Sequence, residues 1–321
     1  MRISKITSAA AVLIGLTLSG CQTSGLDKEV ARAHGLSPDT PIEAKSGGCR
    51  PELESLSSSD GIDFVSGGTK CFVTKVINSP ILASNETADL EILFFHGDGS
   101  PGSRDNALTL MEDRIRSTVT NSPLFLKNKV RYRLVARTGF RISGGGKTTG
   151  HTMQYQTHSY TAESAESIAL LLAELDRQGS SKKFVVRGRS GGAQEIANAI
   201  TLHGSKLPES LDTAIIKAGW GTIQEAMSLT GWPFTNAVYP GEYAANIPDN
   251  LKVKIANSKN DSVTGWRGGK DLYEKFKAAG KRVSFHLYEG VSHTEIATHP
   301  LVLEENLYET MRRILDSDKD R

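Results

Sequence analysis

The feature that most limits how this chain can fold is the run "LEILFF", followed by His96 and Gly97. A strand at a solvent-facing sheet alternates apolar and polar residues, whereas one that stays apolar at successive positions must be buried on both faces. "VRYRLVART", "KFVVRG", "TAIIKAG", "VKIANS" and "VSFHLYEG" read as further strands, and "IDFV" and "KCFVTKVI" as a leading pair joined at Gly67-Gly68. Between them lie stretches of helical spacing. "AESAESIALLLAELDRQG" is a helix with Gly179 at its end, residues 191–203 form another with Gly204 as its cap, and two more fall near 268–279 and 302–315. Strand and helix in alternation call for an α/β architecture, a mostly parallel sheet with helices on both faces. A chain of 321 residues could hold two domains, but alternation that runs unbroken from about residue 61 to the end argues for one large one.

The first sixty residues are of another kind. Arg2 and Lys5 precede an apolar run from Ile6 to Leu18, too short to span a bilayer and of signal-peptide length. It ends in Leu18-Ser19-Gly20-Cys21, which resembles the bacterial lipobox, with residues 1–20 removed and Cys21 lipidated. Gln22, rather than Asp, after that cysteine implies sorting to the outer membrane, facing the periplasm. Residues 21–60, rich in Ser, Gly, Pro and charge, read as a tether and irregular lead-in. Of three cysteines, Cys49 and Cys71 then remain as a pair, expected to be disulfide-bonded in an oxidising compartment.

Composition and motif spacing exclude several classes. A net charge of +2 without a basic, aromatic-laced stripe offers nothing to nucleic acid. "GGGKT" resembles a phosphate-binding loop, but the first glycine of that motif would fall at Arg141, so nucleotide binding is rejected and no cofactor is expected. His151 and His158 lack nearby carboxylates, and no metal site is expected.

One short segment carries chemistry. "FVVRGRSGGAQEIANAI" passes from buried strand to helix through Gly188-Arg189-Ser190-Gly191-Gly192, a G-x-S-x-G pattern whose setting makes it specific. Such a turn lifts the Ser190 hydroxyl above the strand ends at a helix N-terminus, where the dipole favours developing negative charge. A serine attacks only if a base takes its proton and an acid orients that base. His293, in the loop after the last strand, is placed for the first task, with His299 as fallback, and Asp261, after the penultimate strand, for the second. His203, at the end of the helix that follows Ser190, has a structural role at the helix C-terminus.

The order Ser190, Asp261, His293, the glycine-flanked turn and the alternation resemble the α/β-hydrolase superfamily, over about residues 61 to 316. The resemblance implies an α/β-hydrolase fold and an oxyanion hole built from two backbone N–H groups, those of Gly191 and of Asp98 in "FFHGDGS". A carboxylate at that place opposes an oxyanion unless it is paired or turned away, and Arg189 and Arg187 are the candidate partners. Residues 220–247, with Trp220, Trp232, Phe234, Tyr239 and Tyr243, would form a small cap, and residues 139–160 a second specificity insertion. The expected activity is a carboxylic-ester hydrolase working through an acyl-enzyme. A serine peptidase of small peptides and a non-catalytic envelope binding protein on the same fold are the alternatives.

Overall fold

The computed structural model describes residues 49, 61–98, 104–142, 146–149, 160–221, 228, 236–293, 295–297 and 300–317. The leader, Cys21, nearly all of the lead-in, and His151, His158, Trp232, Phe234 and His299 lie outside the described residues. Among the described residues no helix is long and apolar enough to cross a membrane.

Along the chain, β1 (Ile62–Gly67) and β2 (Lys70–Asn78) precede β3 (Leu90–Phe95), and α1 (Arg104–Asn121) and α2 (Pro123–Lys127) lead into β4 (Val130–Val135). A small hairpin of β5 (Arg141–Ile142) and β6 (Gly146–Lys147) comes before α3 (Ala162–Arg177). Then follow β7 (Phe184–Arg189), α4 (Gly191–Leu202), β8 (Leu211–Lys217), β9 (Lys252–Ser258), α5 (Arg267–Ala278), β10 (Arg282–Tyr288) and α6 (Pro300–Ser317). Among the described residues eight strands make one sheet in the order β1-β2-β4-β3-β7-β8-β9-β10. The first three pair antiparallel; from β4 to β10 every pairing is parallel. All parallel strands therefore end at one edge, and the loops that follow them gather there.

The sheet has a core on each face. Ile92, Phe94, Leu134 and Val185 pack with Phe125, Val119, Met311 and Ile314 from α1, α2 and α6. Leu93, Phe95, Val186 and Ala214 pack with Ile168, Leu172, Ile196, Ile200 and Phe276 from α3, α4 and α5. Every residue of β3 and β4 is buried. In β4 that includes two arginines, and they are buried because they are paired. Arg133 Nε donates to Glu91 Oε1 at 2.5 Å and Nη1 to Asp63 Oδ2 at 2.5 Å, while Arg131 donates to the Ser180 and Glu86 carbonyls, each at 2.9 Å.

Local rules account for several boundaries. Thr161 caps α3 by accepting from Ser164 N at 3.2 Å, and Gly179 follows the helix at φ 66°. Gly204 was expected to cap α4 in the same way, yet its backbone is not left-handed. It opens a 3₁₀ turn, and the Asn246 carbonyl oxygen lies 2.0 Å from where a Cβ would stand, so glycine serves close approach there. His203 ends α4, with Nε2 3.1 Å from the Ala162 carbonyl oxygen. Of "GGGKT", Gly146 and Lys147 form β6 and pair with Ile142 and Arg141 of β5 in the hairpin. Behind it, Thr148 Oγ1 accepts from Val73 N at 2.9 Å and donates to Ala136 O at 2.7 Å, and Thr149 Oγ1 accepts from Cys71 N at 3.1 Å. These threonines complete the hydrogen bonding of β2 where β4 has ended.

The expected disulfide is present: Cys49 and Cys71 are bonded with their Cα atoms 5.2 Å apart. It ties the lead-in to a fully buried position in β2. Closing a loop across 22 residues stabilises the fold by about 3 kcal/mol on the chain-entropy account. The double variant Cys49→Ser, Cys71→Ala should lose about that much in denaturant unfolding, and peptide mapping of the non-reduced wild type should recover the two cysteines in one linked pair.

Candidate active site

Ser190 stands between β7 and α4 with φ 51° and ψ −123°, a conformation that L-residues rarely adopt. Two backbone hydrogen bonds hold it there, Ser190 N to Lys217 O at 2.8 Å and Gln194 N to Ser190 O at 3.1 Å. Gly192 makes the turn possible, because a Cβ on it would lie 2.2 Å from the Phe95 carbonyl oxygen of β3. Strand, serine and helix thus stack against the neighbouring strand with no side chain between. Ser190 is buried, at 6 % exposure, at the N-terminus of a helix of 12 residues.

The candidate acid and base come from the next strands along the same edge. Asp261 follows β9 and His293 follows β10; His293 Nδ1 lies 2.8 Å from Asp261 Oδ2. The carboxylate also accepts from Thr264 Oγ1 at 2.7 Å and, through Oδ1, from the backbone N–H of Val263 at 2.8 Å and Thr264 at 2.9 Å. Burial opposes its ionisation, but the His293 hydrogen bond and charge and the Thr264 bonds outweigh it, holding the Asp261 carboxyl below the usual range. A histidine that donates through Nδ1 keeps its Nε2 lone pair free for a proton. The loop bearing His293 is itself pinned, because Ser258 Oγ at the end of β9 donates to the Val291 carbonyl. No hydrogen bond joins Ser190 Oγ to His293 in this structure; Arg189 Nη2 donates to His293 O at 3.3 Å between the two segments. In unliganded hydrolases this contact is commonly loose and tightens with substrate.

On the other side of Ser190 lies the loop after β3. His96 Nδ1 is 2.6 Å from Gly97 O, and its Nε2 accepts from Arg137 N at 3.2 Å, so Nδ1 carries the hydrogen. Burial, reinforced by the Arg137 charge, pushes His96 down to about 3, and it is a neutral structural group. Asp98 pairs with neither of its expected partners, Arg189 and Arg187. Asp98 Oδ1 accepts from Arg137 Nη1 at 2.6 Å, and Oδ2 from the Tyr160 hydroxyl. Arg187 instead lies on the sheet face opposite α3 and α4, with Nη1 3.3 Å from the Tyr132 hydroxyl and its guanidinium over the Phe94 ring. Arg137 further donates from Nε and Nη2 to the two oxygens of Glu195, at 2.8 and 3.0 Å.

Sequence reading missed Arg137, Glu195, Tyr160, Ser258 and Thr264. A signal for two of them existed. Glu195 is a charged residue within the apolar run of α4, and Arg137 follows β4 at the edge where the site forms. Of the segment 220–247 expected as a cap, residues 220, 221, 228 and 236–247 are among those described. Trp220 is buried with its ring 5.2 Å from that of Tyr160, the Tyr239 hydroxyl donates to Asp271, and the 3₁₀ segment Pro240–Asn246 packs on α4 and α5.

This arrangement of sheet, turn and strand-end loops is the α/β-hydrolase fold, as the solved structures bear out. The esterase Pf2001 of Pyrococcus furiosus superposes with a TM-score of 0.55 at 12 % identity, over 85 % of this chain and 97 % of its own. The acylaminoacyl peptidase of Pyrococcus horikoshii superposes with a TM-score of 0.50 at 14 % identity, over 82 % of this chain but 42 % of its own. No family model matches the sequence, and no curated protein matches it.

The two perturbed groups separate in pH. His96 stays neutral in the native protein while the unfolded chain protonates near 6.5, so its contribution is complete above that value and drains as pH falls toward about 3. For Asp261 the contribution is complete above the ordinary 3.8 and is lost only as pH falls through its lower native value. His96→Gln should therefore flatten the decline of melting temperature between about pH 6.5 and 4.5, whereas the loss carried by the Asp261 carboxyl itself should fall below its ordinary 3.8. Thermal melts across pH check both.

Proposed function

We propose that the protein is a serine hydrolase acting on small carboxylic esters, with Ser190 as nucleophile, His293 as base and Asp261 as its orienting acid. The observation that carries this reading is the left-handed Ser190 backbone at a strand-to-helix turn, on the same sheet edge as a bonded Asp261–His293 pair. A fold shared with esterases and peptidases fits it without choosing the bond cleaved. Ser190 Oγ attacks the acyl carbon as His293 Nε2 takes its proton. The carbonyl electron pair moves onto oxygen, which the N–H groups of Gly191 and Asp98 receive. Collapse expels the alcohol with the proton returned by His293, and water then repeats the sequence to release the acid.

Ser190→Ala should abolish ester hydrolysis and fluorophosphonate labelling with an unchanged melting temperature. His293→Ala should lower kcat by about 10⁴- to 10⁶-fold, since the members act as a unit. Labelling of Ser190→Ala at the wild-type rate would overturn the assignment. A panel of acyl esters against aminoacyl amides separates esterase from peptidase.

The same reading places the enzyme in the cell envelope on a lipid at Cys21, as the leader motif implies. Two or more acyl chains hold a protein stably at a bilayer where one does not. The mature enzyme should sediment with membranes through a high-salt wash and dissolve in detergent. Cys21→Ser should remove the lipid and leave ester hydrolysis intact.

A further inference from the structure

The buried side chains around Asp98 have no part in the chemistry just described, yet they touch both halves of the proposed oxyanion hole. Arg137 makes two sets of bonds. Toward the loop after β3 it reaches Asp98 Oδ1 at 2.6 Å, the His96 carbonyl at 3.2 Å and, through its backbone N–H, His96 Nε2 at 3.2 Å. Toward α4 it holds Glu195 with two parallel bonds, at 2.8 and 3.0 Å. Glu195 lies five residues after Ser190, in the helix whose first residue is Gly191. Ser164 Oγ of α3 also meets Glu195 Oε1 at 3.3 Å, and Asn198 of α4 donates to the Tyr160 carbonyl at 2.9 Å. The cluster presses on the donor itself. A Cβ on Gly191 would lie 2.0 Å from Asp98 Oδ1 and 2.6 Å from both Arg137 Nη1 and the Tyr160 hydroxyl.

We infer that Arg137 is a positioning residue for the oxyanion hole, clamping the Asp98 loop to the Ser190–Gly191 turn and pairing the Asp98 carboxylate so that it does not oppose an oxyanion. The inference rests on the hydrolase reading above. Two N–H donors on separate loops stabilise a developing charge only if their spacing is set beforehand. Arginine suits the task because its planar fork bonds two carboxylates at once in fixed directions, which a lysine cannot reproduce. Arg137 is almost wholly buried, so nothing from solvent competes for those bonds. Burial and the Asp98 charge hold the Tyr160 phenol well above its ordinary value, so it remains a donor to that carboxylate.

The test uses an aryl ester and a trifluoromethyl ketone. Ser190 Oγ adds to the ketone carbon, the carbonyl electron pair goes to the oxygen, and His293 keeps the serine proton, so the adduct reports the oxyanion without a leaving group. Arg137→Met should lower kcat about 10²-fold with KM within about threefold, and should weaken the ketone by the same factor as kcat/KM. Arg137→Lys, which restores the charge without the fork, should recover no more than a tenth of the lost kcat. Glu195→Gln, milder in shape, should move kcat and ketone affinity together in the same direction by about tenfold, and it decides the matter if the Arg137 variants do not fold. Folded variants that keep kcat and ketone affinity within about twofold of wild type, by melts and near-ultraviolet circular dichroism, overturn the clamp. Wild-type protein inert to both ester and fluorophosphonate overturns the hydrolase reading itself, and the clamp with it.

Discussion

The strained backbone at Ser190 is the point on which the arrangement of the site depends. A non-glycine residue at φ 51° and ψ −123° costs on the order of 1–3 kcal/mol and persists only where its surroundings leave no alternative. Here β7 is bonded on both sides by parallel neighbours, and α4 is buried on nearly every residue against the sheet and α3. The chain must reverse its direction between two elements that are each held independently. The turn can be that sharp because Gly192 lets the helix approach the Phe95 carbonyl. The consequence is a hydroxyl lifted out of the sheet edge at a helix N-terminus, a place where negative charge is favoured.

Around that turn the protein sets each buried carboxylate against a hydrogen-bonding partner. Arg137 lies between Asp98 and Glu195 on one side of Ser190, and Asp261 faces His293 on the other. In the middle of β4 Arg133 is set between Glu91 and Asp63 in the same manner. Buried ions of this kind add little net stability compared with apolar residues of the same volume, but removing one member is costly, because it strands a charge away from water. Their effect is to specify geometry. Each arginine joins residues far apart in the chain.

Most of the architecture was legible beforehand because it follows from local periodicity. Doubly buried strands announce themselves as apolar runs, helices by their spacing, and α3 by Thr161 at one end and Gly179 at the other. The placement of Ser190, Asp261 and His293 on one edge was legible for a topological reason: in a parallel sheet, loops after strands share an edge however distant they are in sequence. Gly204 was misread because a glycine after a helix usually supplies a left-handed cap, whereas here it makes room for Asn246. Asp98 was assigned the wrong partners because Arg187 and Arg189 lie next to Ser190 in sequence, whereas Arg187 reaches Tyr132 on the other sheet face and Arg189 reaches the His293 carbonyl.

The sequence by itself determined the α/β alternation, the turn at Ser190 and the order of the three candidate catalytic residues, since these rest on periodicity, backbone sterics and strand polarity. Only the tertiary structure decided that Thr148 and Thr149 complete the bonding of β2, and that Arg137, Tyr160 and Glu195 enclose Asp98. Those contacts join segments tens of residues apart, and their partners are selected by which side chains the packed sheet and helices bring within hydrogen-bond distance, a quantity that no local pattern carries.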